Sequence, residues 1–117
     1  MKFIVGILEK KSIYKVLVDI AKADNIVTDE EASYIFQLQK TLNISLSEIN
    51  NALKMDFDEC LNILRGISAI NKKLVSKMIL ELINIDGKID LKEVELFSEI
   101  CKMTDIPLPE DIKGFVS

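Results

Sequence analysis

The chain has 117 residues, of which 15 are basic and 19 are acidic, giving a net charge of −4, and 49% are hydrophobic. This length and composition predict one folded domain over residues 1–117 and argue against intrinsic disorder. The negative charge argues against non-specific nucleic-acid binding, which needs a clustered basic surface. No apolar run reaches the roughly 18 residues of a transmembrane helix, so we expect a cytoplasmic protein.

Helical periodicity dominates the sequence. Apolar residues recur at the spacing of one helix face, as Ile13, Val16 and Leu17 do. The spacing predicts helices over residues 12–23, 29–42, 46–54, 57–67, 72–85 and 91–103, with a short one over 108–114. Residues 2–9 are expected to add a helix or an extended arm. Because 74–85 is apolar around most of its circumference, we predict an all-α compact helical bundle of about seven helices with that helix at its centre.

Polar residues that cap helix N-termini stand before several predicted helices: Thr28, Ser45, Asp56, Asn71 and Asp90. Glu31 and Glu48 follow two of these caps by three residues, which completes the capping-box pattern. Asn25 and Gly87 stand after predicted helix ends and are suited to left-handed backbone. The sequence therefore predicts both the starts and the stops of the main helices.

The chain resembles itself in two units, residues 13–44 and 75–106. Corresponding positions carry similar residues: Asp24 with Asp86, Asn25 with Gly87, Val27 with Ile89, Thr28 with Asp90, and Glu31 with Glu93. Each unit predicts a helix, a tight acidic turn and a capped helix. We expect Val27 and Ile89 to hold each turn on the core, and the two units to form an internal pseudo-twofold repeat of helix, acidic loop and helix.

The second acidic loop invites comparison with the EF-hand calcium loop. When Gly87 takes the sixth loop position, the first position falls on Leu82, which has no side-chain oxygen. The first loop places Ile20 at the corresponding position. Because calcium needs roughly six to eight oxygen ligands, both loops lack the leading one, and this argues against a true EF-hand.

Two stretches carry a recognisable pattern: AKADNIVTDEE at residues 21–31 and IDGKIDLKE at residues 85–93. In each, Asp with Asn or Gly precedes an aliphatic residue, a cap and a Glu. The sequence resembles the tellurite-resistance TerB-like family, which shares its domain type with the N-terminal region of certain membrane-anchored DnaJ-like co-chaperones. The resemblance spans residues 13–106, and it departs from the family pattern at Asn25, where Gly is usual.

The TerB-like resemblance implies an all-α bundle with internal twofold character. It also implies a bacterial stress-response setting, either cytoplasmic or membrane-associated, and binding of a divalent cation or a partner through acidic residues. The positions that would inherit this role, including that of metal ligand, are Asp24, Glu31, Asp86 and Glu93, with Asp90 as a further candidate.

Three interpretations of the acidic loops stand side by side. In the first, the carboxylates only cap helices and close turns. In the second, the carboxylates of both loops, together with Asp19 and Glu81, converge on a divalent cation that relieves their repulsion. In the third, which we favour, the domain is a protein-interaction or stress-response module. Its acidic face then binds a basic protein partner, and added salt weakens the association.

Residue types that carry catalysis are scarce. The chain has no His, and it shows neither a nucleophile elbow nor a Gly-rich phosphate loop. Cys60 and Cys101 lie in apolar helical patterns, so we expect two buried, reduced thiols. We therefore predict that the protein is not an enzyme and assign it no cofactor, with a divalent cation left as the one candidate. A membrane-surface role for residues 2–15 is a weaker alternative to packing on the bundle.

Overall fold

Helices make up the architecture, and the computed structural model describes residues 6–115 of the chain. Over that range there is no strand, and there are seven helices: α1 (Ile7–Ala21), α2 (Asp29–Thr41), α3 (Leu46–Leu53), α4 (Phe57–Arg65), α5 (Ala69–Asn84), α6 (Leu91–Thr104) and α7 (Glu110–Lys113). They enclose one hydrophobic core in a body of 36 × 30 × 29 Å. The predicted all-α bundle is confirmed, while its internal twofold symmetry stays a prediction. Among the described helices, none is long and apolar enough to cross a membrane.

The central helix of the bundle is α1. It packs against α2, α3, α4, α5 and α6. Its buried residues occupy most of its circumference: Ser12, Ile13, Tyr14, Val16, Leu17, Val18, Ile20 and Ala21. The prediction that the helix over 72–85 is central is wrong. That helix, α5, packs against α1, α2 and α6, and its apolar residues Leu74, Met78 and Leu80 are only half-buried. Apolar composition alone does not decide which faces meet a neighbour.

The first helix begins earlier than its predicted start at residue 12. Its N-cap is Gly6, whose amide donates a hydrogen bond to Glu9 Oε2 at 3.2 Å. Ile7 and Leu8 are 58% and 59% exposed, so the first turn does not share the buried apolar stripe that predicted the helix. The prediction that residues 2–9 form an additional helix or an extended arm is therefore wrong for residues 6–9, which are the N-cap and first turn of α1. The rest of that segment lies outside the described residues.

Polar caps begin most of the helices, as predicted. Thr28 Oγ1 accepts a hydrogen bond from the Glu31 amide at 3.1 Å, and the caps at Ser45, Asp56 and Asp90 are confirmed as well. The predicted cap at Asn71 is wrong. The chain enters α5 one turn earlier, at Ser68, whose Oγ accepts the Asn71 amide at 3.1 Å. Ser68 precedes Asn71 by three residues, so its hydroxyl can accept the hydrogen bond of the Asn71 amide, which has no partner within the first turn of the helix.

The two acidic loops adopt left-handed backbone where the sequence predicts it, with φ of 66° at Asn25 and 77° at Gly87. Their aliphatic residues behave differently. Ile89 is half-buried against the core, but Val27 is 42% exposed, so the prediction that Val27 holds its turn on the core is wrong. The first turn is instead closed by its own hydrogen bonds, including one from the amide of Ile26 to Asp24.

Candidate functional site

Asp24 lies within a tight turn in the α1–α2 loop. Its Oδ1 accepts a hydrogen bond from the Ile26 amide at 3.0 Å, and the Asn25 amide donates to the Lys22 carbonyl at 2.9 Å. This is the Asx turn that Asp forms readily beside a left-handed residue. The turn holds the Asp24 carboxylate in place and uses only one of its two oxygens.

The α5–α6 loop contains a second Asx turn and then caps α6. Asp86 Oδ1 accepts a hydrogen bond from the Lys88 amide at 3.0 Å. Four residues later, Asp90 Oδ1 accepts hydrogen bonds from the amides of Lys92 at 2.9 Å and Glu93 at 3.1 Å. The first turn of α6 therefore fixes Asp90 and brings the side chain of Glu93 to the start of that helix.

Carboxylates from the two loops meet in one place. Asp24, Asp90 and Glu93 each present one oxygen, and these three oxygens lie within 4.8 Å of one another. Asp24 and Asp90 are half-buried, whereas Glu93 is only 2% exposed. Because calcium–oxygen distances are about 2.3–2.6 Å, two ligands of one ion lie at most about 5 Å apart. The spacing therefore suits a single cation. We call these three residues, together with Glu31, the acidic centre.

Glu31 and Glu93 form the buried part of the acidic centre. Glu31 is 3% exposed, and its carboxyl group lies within hydrogen-bonding reach of Glu93. The pKa of Glu93 is raised to about 9. Burial is the largest cause, the hydrogen bond with Glu31 and the charge of Glu31 come next, and the charges of Asp90 and Asp24 contribute least. A hydrogen bond between two carboxyl groups requires a proton. The raised pKa of Glu93 therefore means that this pair of carboxyl groups holds a proton at neutral pH.

Helix capping accounts for Glu31 but not for Glu93. Glu31 Oε1 accepts the Thr28 amide at 3.0 Å, which completes a capping box with the Thr28 hydroxyl. Within the described residues, the start of α6 has only the bonds that Asp90 accepts, without the reciprocal bond from the Asp90 amide to the Glu93 carboxylate. The capping role that the purely structural interpretation gives to Glu93 is therefore not found at the start of α6.

The remaining acidic residues named from the sequence have other surroundings. Asp86 serves its own turn and is not part of the three-carboxylate group. Asp19 Oδ1 accepts a hydrogen bond from Lys15 Nζ at 3.1 Å on α1. Glu81 lies near Tyr34, where burial and then the charge of Glu81 raise the pKa of the phenol to about 12. The structure thus places Asp90, rather than Asp86, beside Asp24 and Glu93, although the sequence repeat pairs Asp86 with Asp24.

The two thiols lie apart from this chemistry. Both cysteines are free, with Cys60 fully buried and Cys101 half-buried. Burial raises the pKa of Cys60, and it raises the pKa of Cys101 to about 12. A thiol with a raised pKa is a poor nucleophile and metal ligand at neutral pH. The expectation of reduced thiols in apolar surroundings agrees with these positions, although Cys101 is less buried than predicted.

The fold has a counterpart among solved structures. No protein-family model and no curated protein matches the chain. The crystal structure of a protein of unknown function from Porphyromonas gingivalis W83 is similar, with a TM-score of 0.75 and 15% sequence identity over 97% of each chain. At this identity the likeness shows a shared fold alone. The TerB-like resemblance of the two loops therefore stays a prediction.

Proposed function

We propose that this domain binds one divalent cation through Asp24, Asp90 and Glu93, with Glu31 as the adjoining carboxylate. The observation that carries the proposal is the meeting of three carboxylate oxygens, from the α1–α2 loop, the α5–α6 loop and the first turn of α6, within 4.8 Å of one another. Carboxylates this close repel each other when they are ionised. A cation placed between them would remove that repulsion. It would also take the place of the proton held by Glu93.

The donor atoms favour a hard cation. All four side chains of the acidic centre offer only oxygen, which suits calcium, magnesium or manganese better than zinc. The chain has no His, and its two cysteines lie outside the group. Two of the ligands come from the α5–α6 loop and the start of α6, and one comes from the α1–α2 loop. A bound cation would therefore join the two helix–loop–helix units, unlike an EF-hand, where one loop supplies the protein ligands.

Titration calorimetry and thermal melts of chelator-treated protein test the proposal with calcium, magnesium, manganese and zinc. We expect saturable binding of one calcium, magnesium or manganese ion per chain and a higher melting temperature, because a ligand that binds only the folded state stabilises it. Absence of both heat and thermal shift with all four cations would refute the proposal. Strong binding of zinc alone would contradict the assignment of an oxygen site.

Two matched variants locate the site. Asp24→Asn keeps an oxygen that closes the Asx turn but removes a negative charge, so the fold should persist while cation affinity falls by about tenfold or more. Asp86→Asn makes the same change in the equivalent turn of the other loop, outside the acidic centre, and should change affinity by less than about twofold. Equal losses in the two variants would show that the carboxylates act through overall charge rather than as ligands.

The wider biological role stays a proposal that rests on the TerB-like resemblance. We infer a non-catalytic, cytoplasmic stress-response or interaction module, because the two loop motifs match that pattern and residue types that carry catalysis are scarce. The same resemblance implies cation or partner binding through acidic residues, which supports the proposed site. An assay for tellurite or oxidant sensitivity in a strain lacking the protein tests this role, with Asp24→Asn as the complementing variant and wild type as its control.

A further inference from the structure

A second surface lies between α2 and the end of α5. It is an open groove of about 480 Å³, and its lining residues are Asp29, Glu30, Ser33, Tyr34, Gln37 and Ile85. Tyr34 is half-buried and packs against the core, while Ile85 is 41% exposed. The groove thus has an apolar strip with carboxylates at one end. We call it the α2–α5 groove.

The helix that forms one wall of the α2–α5 groove is thinly covered by the rest of the chain. Along its 13 residues, α2 buries only Glu31 and Leu38. A helix contributes most of its stability through an apolar face that neighbours cover. The exposed side of α2, with Ser33 and Gln37 along the groove, is therefore available to another molecule.

The charge at the α2–α5 groove is negative. Asp29 and Glu30 line the groove and are exposed. Glu81, an exposed residue of α5 outside the lining, stands four residues before Ile85, and its charge acts on the phenol of Tyr34. Within residues 6–115, no Lys or Arg lies within 4.0 Å of any of these three carboxylates. The groove therefore combines an apolar strip and an aromatic ring with acidic groups that lack a cationic partner in the described chain.

We propose that the α2–α5 groove docks a basic amphipathic segment of a partner protein. An apolar side chain of that segment would lie between Tyr34 and Ile85, and Lys or Arg side chains would face the three carboxylates. Carboxylates bind guanidinium groups through paired hydrogen bonds, and an aromatic ring attracts a cation over its face. This inference is independent of the cation site, and it gives the interaction role predicted from the sequence a place on the molecule.

The test uses a fluorescein-labelled synthetic helical peptide of about 14 residues, with Leu along one face and Arg on both flanks. Titrated into ¹⁵N-labelled full-length protein, it should shift the amide signals of Tyr34, Gln37 and Ile85. Affinity should fall at least about tenfold between roughly 0.05 M and 0.5 M salt, because charge attraction is screened. A peptide with Glu in place of Arg should not bind. Shifts confined to other surfaces, or no binding at low salt, would overturn the proposal.

A matched pair of variants separates local from general charge effects. Asp29→Asn/Glu30→Gln removes two charges from the first turn of α2 and should weaken peptide binding about tenfold. Asp58→Asn/Glu59→Gln removes two from the first turn of α4, which does not line the groove, and should change binding by less than about twofold. Equal weakening by both pairs would contradict a specific groove.

Two further readouts keep this proposal separate from the cation site. The amide spectrum of Asp29→Asn/Glu30→Gln should match that of wild type outside the first turn of α2, which shows that the variant is folded and that its loss of peptide binding is local. Sedimentation of the free protein tests the other occupant, a second copy of the chain. A dimer that dissociates on Ile85→Ser would show that a second copy fills the groove and would overturn the basic-segment proposal.

Discussion

Glu93 carries a carboxyl group that is 2% exposed and faces three other carboxylates. Burying an ionised carboxylate without a partner is costly, so such a group holds a proton or meets a cation. The pKa of Glu93 is raised from 4.5 to about 9 in the folded protein. Between these two pH values, the unfolded chain has lost the Glu93 proton while the folded protein still holds it. The stability from this group is complete below pH 4.5 and is lost as pH rises through about 9.

We expect Glu93→Gln to flatten the dependence of stability on pH. In the presence of chelator, the free energy of unfolding of wild type should fall between about pH 5 and pH 9, since each pKa unit is worth about 1.4 kcal/mol. Gln is neutral throughout and still offers Glu31 a donor. Urea denaturation at several pH values measures this effect.

Tyr34, Cys60 and Cys101 have raised pKa values in the folded protein, so they lower stability only as pH approaches their ordinary pKa values of 10.0 and 9.0. The slope due to Glu93 is therefore compared between about pH 5 and pH 8. Glu59→Gln, on the exposed side of α4, is the control and should keep the wild-type slope. If Glu93→Gln also kept that slope, Glu93 would not be the group that titrates. Saturating calcium should flatten the wild-type curve if the proposed site is correct, because the cation replaces the proton.

At the scale of elements, the acidic turns depend on one left-handed residue each. The sequence identifies both positions, Asn25 and Gly87, because few residues adopt positive φ without strain. The sequence also predicts the Asp side chains that close these turns, since the Asx bond spans only two residues. Local features such as caps and turns were therefore largely predictable. The predicted starts of α1 and α5 were wrong. These helices begin at residues 7 and 69, and their first turns are exposed or lack a clear apolar pattern.

Gly87→Ala should destabilise the protein by about 1 kcal/mol. A Cβ at this position would have no heavy atom within 4 Å, so the whole cost is backbone strain at φ 77°. Gly114→Ala is the matched control, because its added Cβ also meets nothing within 4 Å but its φ is −68°. Chemical denaturation should show no loss in the control. Equal losses would mean that strain at the left-handed turn is not the cause.

At the scale of the whole molecule, stability centres on α1. This helix packs against five others, and Leu17 on its buried side is fully inaccessible to solvent. By comparison, α5 has an apolar sequence, but its neighbours bury a smaller part of its surface. The acidic centre lies where the α1–α2 and α5–α6 loops meet, so the packing of these two helix pairs around one core sets the distance between the carboxylates.

Leu17→Ala should lower the free energy of unfolding by about 2–5 kcal/mol, because a cavity in the closed centre of the core cannot collapse easily. Leu74→Ala, at a half-buried site on α5, should cost at most about 1.5 kcal/mol. Urea denaturation at fixed pH compares the two variants. A larger loss at Leu74 would contradict the central position of α1.

The sequence by itself determined the helical class, most helix ends, the two left-handed turns and the acidic residues that surround them. These features depend on neighbours within a few positions along the chain, which periodicity and capping rules describe. Only the tertiary structure decided that α1 is central, that Asp90 rather than Asp86 joins Asp24, and that Glu93 is buried against Glu31. Each of these depends on how distant helices pack against one another, and the spacing of residues within a single helix does not fix that arrangement.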